Sequence, residues 1–288
     1  MLKKRIVATL VVKDGIVVQS MGFKRYLPVG KPAIAVEFLN HWGVDEIILL
    51  DISATRNGRS PDYDMVRSAS INCRVPLTVG GGIIDIDHVA ELMHCGADKV
   101  AFNQAALRQP NLITKVAHQF GDQCVVASVD GLMTNEGHRV YDYQQRKTLN
   151  QTPSELATQL QQLGAGEILI NSVDRDGSYL GFDLVLIESV CKEVTIPVIC
   201  CGGAGNAQHF VEVFQYTNVS AAAAANFFHF TEHSVTTTKS LVNQSIPVRH
   251  ETYFYYQDCH FGDDGRILKK DDRELEDMLF VRIKREII

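Results

Sequence analysis

No stretch of this sequence is apolar for long enough to cross a membrane. The longest weakly polar run, residues 220–230, falls well short of the roughly 20 residues that a spanning helix needs. There is no run of basic residues, and the formal net charge is −6, so neither nucleic acid nor an anionic membrane surface suits the chain as its main partner. There is no Cys-x-x-Cys. The seven cysteines (Cys73, Cys95, Cys124, Cys191, Cys200, Cys201, Cys259) are odd in number and lie mostly in apolar patterns. That distribution argues against a disulfide framework and for reduced thiols in a cytoplasmic protein. Cys259-His260 offers two ligand types with no further cluster, too few for a metal site, and no cofactor is expected. The N-terminus, Met1-Leu2-Lys3-Lys4-Arg5, leads into an apolar run that lacks a small-residue cleavage site. The run ends in the turn Lys13-Asp14-Gly15, so it reads as a strand and not as a signal peptide.

What is present is alternation. The chain has 288 residues, 45% apolar and 22% charged, enough for one large α/β domain. Short apolar runs at 6–12, 46–51, 76–79, 99–102, 124–130, 167–171, 197–201 and 221–225 read as strands. Amphipathic patterns at 32–42, 64–71, 85–94, 112–120, 154–163, 184–194, 208–216 and 234–244 read as helices; Ile86, Val89, Ala90 and Met93 show the spacing. Gly43, Gly96 and Gly164 each stop a helix, as glycine does just past a C-cap. Eight such βα units predict a (βα)8 barrel over residues 1–249. Residues 250–288 fall outside the pattern as a C-terminal extension, with the aromatic run Tyr253-Phe254-Tyr255-Tyr256, a turn at Asp263-Asp264-Gly265 and a short helical pattern over 273–280.

The barrel reads as doubled. Val79-Gly80-Gly81-Gly82-Ile83 follows a strand and precedes a helix, and Cys200-Cys201-Gly202-Gly203-Ala204-Gly205 echoes it. Gly80 and Gly202 lie 122 residues apart, and Asp51 and Asp174 lie 123 apart, which predicts two (βα)4 halves. Glycines at such turns leave amides free to cradle a phosphate, although a tight βα turn calls for glycine in any case. Two segments break the alternation: a long connection at 15–31 and a polar excursion at 132–151 carrying a hairpin turn and a short strand, Arg139 to Tyr143. Long loops at a barrel mouth usually serve as lids or substrate contacts. Asp130 ends the fifth strand after an apolar run and is the candidate general acid or base. Asp51, Asn103, Ser172, Asp174 and Asp176 stand at comparable strand ends. The end of the first strand, where a partner for Asp130 is expected, holds Val11, which cannot transfer a proton.

These motifs together, with Leu50-Asp51-Ile52, Gly96-Ala97-Asp98-Lys99-Val100, Asp174-Arg175-Asp176-Gly177 and Phe228-His229-Phe230, resemble the cyclase subunit of imidazole glycerol phosphate synthase over nearly all of residues 1–249. The resemblance implies a barrel that docks on a glutaminase, receives ammonia through its interior and adds it to a ribonucleotide bearing two phosphates. Carried over by residue, it implies one phosphate site at Gly81, Gly82, Asn103 and Gln104, and another at Asp176, Gly177, Gly203, Ala225 and Asn226. Gln104 and Asn226 replace the hydroxyl residues usual there. It implies an ammonia gate of alternating charges, Arg5, Glu46, Lys99 and Glu167, and a glutaminase-docking residue, Asp98. Of the catalytic pair only Asp130 matches; its partner position is Val11, and a lid lysine is replaced by Gln19. The family also holds paralogues in surface-polysaccharide gene sets. There a glutaminase-like and a cyclase-like subunit are thought to feed ammonia to a third enzyme that turns an acetamido sugar into an acetamidino sugar. A retained gate beside a broken catalytic pair resembles that branch, with the extension as a contact for the third subunit. The alternatives are a working cyclase in which Asp14 or another group substitutes, and an isomerase acting alone.

Overall fold

Strands in this chain are short, apolar on both faces where they are central, and separated by capped helices, the signature of a parallel sheet buried on both sides. The computed structural model describes residues 3–230 and 233–249, with Gly262 and Leu268 beyond them. The expectations for the extension, and Cys259-His260, therefore lie outside the described residues. In chain order the strands are β1 (Arg5–Lys13), β2 (Ile16–Met21), β3 (Arg25–Gly30), β4 (Glu46–Asp51), β5 (Leu77–Gly80), β6 (Lys99–Phe102), β7 (Val125–Thr134), β8 (Gly137–Asp142), β9 (Lys147–Thr148), β10 (Glu167–Ser172), β11 (Val198–Cys201) and β12 (Ala221–Ala224). The helices are α1 (Pro32–His41), α2 (Tyr63–Ser70), α3 (Ile86–His94), α4 (Gln104–Arg108), α5 (Asn111–Phe120), α6 (Pro153–Gln162), α7 (Leu184–Cys191), α8 (Ala207–Tyr216), α9 (Asn226–Phe230) and α10 (Ser234–Asn243).

Strands β1, β4, β5, β6, β7, β10, β11 and β12 pair in parallel in that order, and β12 returns to β1, closing an eight-stranded barrel. Local chemistry fixes the helices between them. Asp62, Asp85, Asp183 and Asn206 each accept a backbone N–H at a helix start, and Thr152 with Glu155 forms a capping box. At Gly43, Gly96 and Gly164 the backbone turns left-handed, and paired bonds such as Gly43 N to Asn40 O and Val44 N to Leu39 O close each helix.

The registers confirm the doubling and correct its spacing. Glu46 pairs with Val7 as Glu167 pairs with Val126, so β4 and β10 correspond at an offset of 121 residues. Gly81 therefore corresponds to Gly202, and Asp51 to Ser172, not Gly80 to Gly202 or Asp51 to Asp174 as the sequence spacing suggested. Along β1 and β7 the offset is 119, which makes Val11 the counterpart of Asp130.

Alternation along the strands divides the core in two. Ile6, Ala8, Leu10, Ile47, Leu49, Val100, Ile168 and Ala222 face the helices. Val7, Ile48, Ala101, Val126, Leu169, Ile199, Ala221 and Ala223 fill the barrel interior. The connection at 15–31 is ordered differently from the long loop expected. Asp14 and Gly15, both at positive φ, make a two-residue turn, and β2 and β3 form an antiparallel ribbon on the end of β1. Strands β7 and β8 make the matching hairpin in the other half, turning at Asn135-Glu136.

Candidate functional site at the barrel mouth

At the N-terminal end of the barrel, the first inward residues are charged. Arg5 reaches Glu46 at 2.7 Å and also bonds Glu167; Lys99 lies 2.9 Å from Glu46 and 2.8 Å from Glu167. The Thr78 hydroxyl donates to Glu46 at 3.0 Å. The four side chains the sequence singled out thus form one ring of alternating sign, with Glu46 and Glu167 almost wholly buried. Asp98 stands beside it, exposed, with one carboxylate oxygen accepting the Leu77 amide at 2.8 Å. Above the ring the interior is apolar through the layers of Val7, Ile48, Ala101, Val126, Leu169 and Ile199.

At the C-terminal end polarity returns. Asp130 is 5% exposed. Asn171 Nδ2 donates to its Oδ1 at 3.2 Å and Asn103 Nδ2 to its Oδ2 at 3.0 Å. Burial lifts its carboxyl to about 6; the two amides pull the other way, and the charges of Asp176 and Asp142 push it further up. Asn103 is tied onward: Gln104 Nε2 donates to Asn103 Oδ1 and to Asp142 Oδ1, and Arg108 bonds Asp142 at 2.8 Å. Beside this cluster Tyr143 is raised to about 12 by burial, partly offset by its bond to Thr55. Val11 occupies the counterpart of Asp130 and brings no ionisable group. Asn171 escaped the sequence reading because two polar residues, Asn171 and Ser172, end β10 together. Only the register shows that Asn171 points inward while Ser172, whose hydroxyl finds no partner among the described residues, points out.

The glycine pairs are shaped by close approach. A Cβ on Gly81 would lie 2.2 Å from the Asp51 carbonyl oxygen, and one on Gly203 would lie 2.1 Å from that of Gly181. The register counterpart of Gly81 shows the same relation, since a Cβ on Gly202 would lie 2.7 Å from the Ser172 carbonyl oxygen: in both halves the end of the second strand presses on the first glycine after the third. Gly82 N is already bonded to Thr55 Oγ1 at 3.0 Å. In the other half the implied phosphate residues hold the β2–β3 ribbon. Asp176 accepts the Ser20 hydroxyl at 2.7 Å and the Phe23 amide at 3.2 Å, and burial raises its carboxyl against those bonds. Asn226 bonds the Ser20 amide at 3.2 Å and its carbonyl at 2.6 Å. Gly177 packs against Ser20, where a Cβ would meet the carbonyl oxygen at 2.7 Å, and Ala225 follows β12. Gln19 is buried and donates to Tyr179 Oη at 2.6 Å. Asp51 is satisfied by its own loop through Ser53 and Ala54, and Asp174 accepts the Met133 amide at 2.6 Å. Among the described residues there is no group of three or more His, Cys, Asp or Glu side chains placed to hold a metal ion, and no helix long and apolar enough to cross a membrane.

Comparison with known proteins places this geometry among relatives. Residues 5–234 match the histidine biosynthesis protein family. A putative imidazole glycerol phosphate synthase subunit hisF2 of Vibrio vulnificus is 40% identical over 267 residues, 92% of this chain and 98% of the relative. The imidazole glycerol phosphate synthase subunit HisF of Bacillus cereus is 43% identical over 251 residues, 86% of this chain and all of the relative. The HisF subunit of Clostridium botulinum is 42% identical over 246 residues, 85% of this chain and 97% of the relative.

Proposed function

Because the chain belongs to the histidine biosynthesis protein family, as a homologue of the cyclase subunits of imidazole glycerol phosphate synthase, we propose that it is the barrel subunit of a glutamine amidotransferase assembly that passes ammonia to a partner. In this reading a glutaminase docks at the N-terminal face, around Asp98 and the charged ring, and releases ammonia there. The ring of Arg5, Glu46, Lys99 and Glu167 admits it. The apolar layers above favour neutral ammonia, since an ammonium ion would lose its hydration with nothing to replace it. A third subunit, contacting residues 250–288, uses the nitrogen to turn an acetamido group of a nucleotide-linked sugar into an acetamidino group. The glycine pairs and their neighbours remain candidates for a phosphate-bearing small molecule.

One observation carries this reading: a complete ring at one end of the barrel, and Val11 in place of a carboxylate at the other. Loss of one general acid or base costs ~10²–10⁴-fold in rate, so a cyclase without it is a poor enzyme. The ring, by contrast, is of use only with an ammonia source. The extension agrees with this. The HisF relative from Bacillus cereus is matched in full within 86% of this chain, whereas the hisF2 relative matches 92%, which runs past Arg249.

The second reading, an active cyclase of histidine biosynthesis, is favoured by 42–43% identity to HisF subunits over nearly their whole length. Ammonium and the cyclase's ribonucleotide substrate separate the two: turnover near that of an authentic cyclase sinks the conveying role, and turnover gained only on Val11→Asp supports it. Within the assembly, Lys99→Ala is expected to uncouple glutamine hydrolysis from amidination. A ratio of glutamate to amidinated product that stays at the native value removes the channel role.

A further inference from the structure

The offsets between the two halves allow the mouth to be compared with itself. Asp130 corresponds to Val11, and its neighbour in register on β10, Asn171, corresponds to Leu50 on β4. Ala101 on β6 corresponds to Ala223 on β12, so Asn103 corresponds to Ala225. One pole of the mouth therefore holds a carboxylate with an amide donor on each oxygen. The other holds three apolar side chains at the same places. The difference extends over three strands and is not confined to Val11.

The donors on Asp130 are unequal. Asn103 is shared: the same Nδ2 also donates to Ser128 O at 3.1 Å, and its oxygen is engaged by Gln104. Among the described residues, Asn171 Nδ2 donates to Asp130 alone, at 3.2 Å, and reaches it from the neighbouring strand. Two fixed donors set the plane of the carboxylate and favour its charged form, against burial. The titratable groups around Asp130 are Asp142 at the end of β8, Tyr143 just after it, Asp176 from the loop after β10 and Cys201 from β11. From β1 none faces it, because Val11 stands there.

We propose that the mouth works with one acid–base group, not two, and that Asn171 is the residue that positions it. The arrangement gives Asp130 a fixed orientation with no facing carboxylate on β1 to share its proton, so that only the neighbouring charges of Asp176 and Asp142 act on its ionisation. Its functional consequence rests on the nitrogen-transfer reading; the positioning itself rests on geometry. Asn171→Leu tests it, since leucine is what the fold already carries at the equivalent position of the other half. The full chain, labelled with ¹³C at aspartate Cγ and assigned by Asp130→Asn, is titrated by NMR, and the pH profile of glutamine-dependent product formation is measured in the assembled complex. Asp130 is expected to titrate in one main step and to move up by about one unit in Asn171→Leu, the size expected for one lost bond to a charged acceptor. The profile should show one ionisation that moves with it. If Asn171→Leu does not fold, Asn171→Val, which also lacks a donor and suits a strand, must give the same shift. An unmoved titration in a folded variant overturns the positioning role, and a second carboxyl titrating together with Asp130 overturns the single-group mouth. A shifted titration with an unshifted profile supports the positioning and counts instead against the mouth's part in nitrogen transfer.

Discussion

At Asp130, just before β7 leaves the barrel for its hairpin with β8, a carboxylate loses its hydration and gains two amide donors, and the two effects oppose each other. Burial wins, and Asp130 sits at about 6. A folded-state pKa above the unfolded value means that the folded protein holds a proton the unfolded chain has released. The stability this provides is complete below about pH 4 and is lost as pH rises through about 6, a change on the order of 1–3 kcal/mol. Asp130→Asn carries no such ionisation. Urea unfolding at pH 4 and pH 7 should therefore show the variant gaining on the native protein by that amount, and a constant gap would contradict the burial argument. The glycines make a second comparison at this scale. Gly203→Ala drives a Cβ into a carbonyl at 2.1 Å with φ at +103°, and should cost about 3 kcal/mol or more. Gly15→Ala, at φ +79° with nothing within 4 Å, should cost about 1 kcal/mol. Equal losses in midpoint of thermal unfolding would mean that packing does not explain the glycine pairs.

The elements differ in how plainly the sequence announces them. The ranges 46–51 and 99–102 are strands to the residue, because each is an apolar run between a helix-stopping glycine and a polar turn. The ribbon of β2 and β3 was hidden. Most of β3 is exposed, so it shows no alternation, and Phe23-Lys24-Arg25-Tyr26 looks like a loop. Helices α4 and α9, five residues each, are too short to show a period. The doubling was legible in kind but misplaced by one or two residues, since only pairing partners reveal which glycine matches which. Asp130 stood out as a charge ending an apolar strand; Asn171 did not, because orientation on a strand is a matter of register. The ribbon yields its own prediction. Asp176 holds it through the Ser20 hydroxyl and the Phe23 amide, so Asp176→Ala should speed amide exchange across residues 16–30 about tenfold or more. Exchange at the native rate would show that other contacts, such as Gln19 to Tyr179, suffice.

Across the whole molecule the two ends of the barrel differ in what they carry. The N-terminal end keeps a four-membered ring in which each charge meets two of opposite sign, with an apolar interior above it. The C-terminal end keeps the paired glycine turns of both halves but a carboxylate with amide donors at one pole of the mouth alone. A subunit that conveys ammonia needs the first and does not need a carboxylate at both poles of the second, and that is the central claim. Its most direct test is the purified chain supplied with the two-phosphate ribonucleotide substrate of the authentic cyclases and saturating ammonium, with imidazole glycerol phosphate as the readout. The account predicts turnover ~10²–10⁴-fold below an authentic cyclase assayed alongside; turnover within a few-fold of it would contradict the account and make this chain a working cyclase.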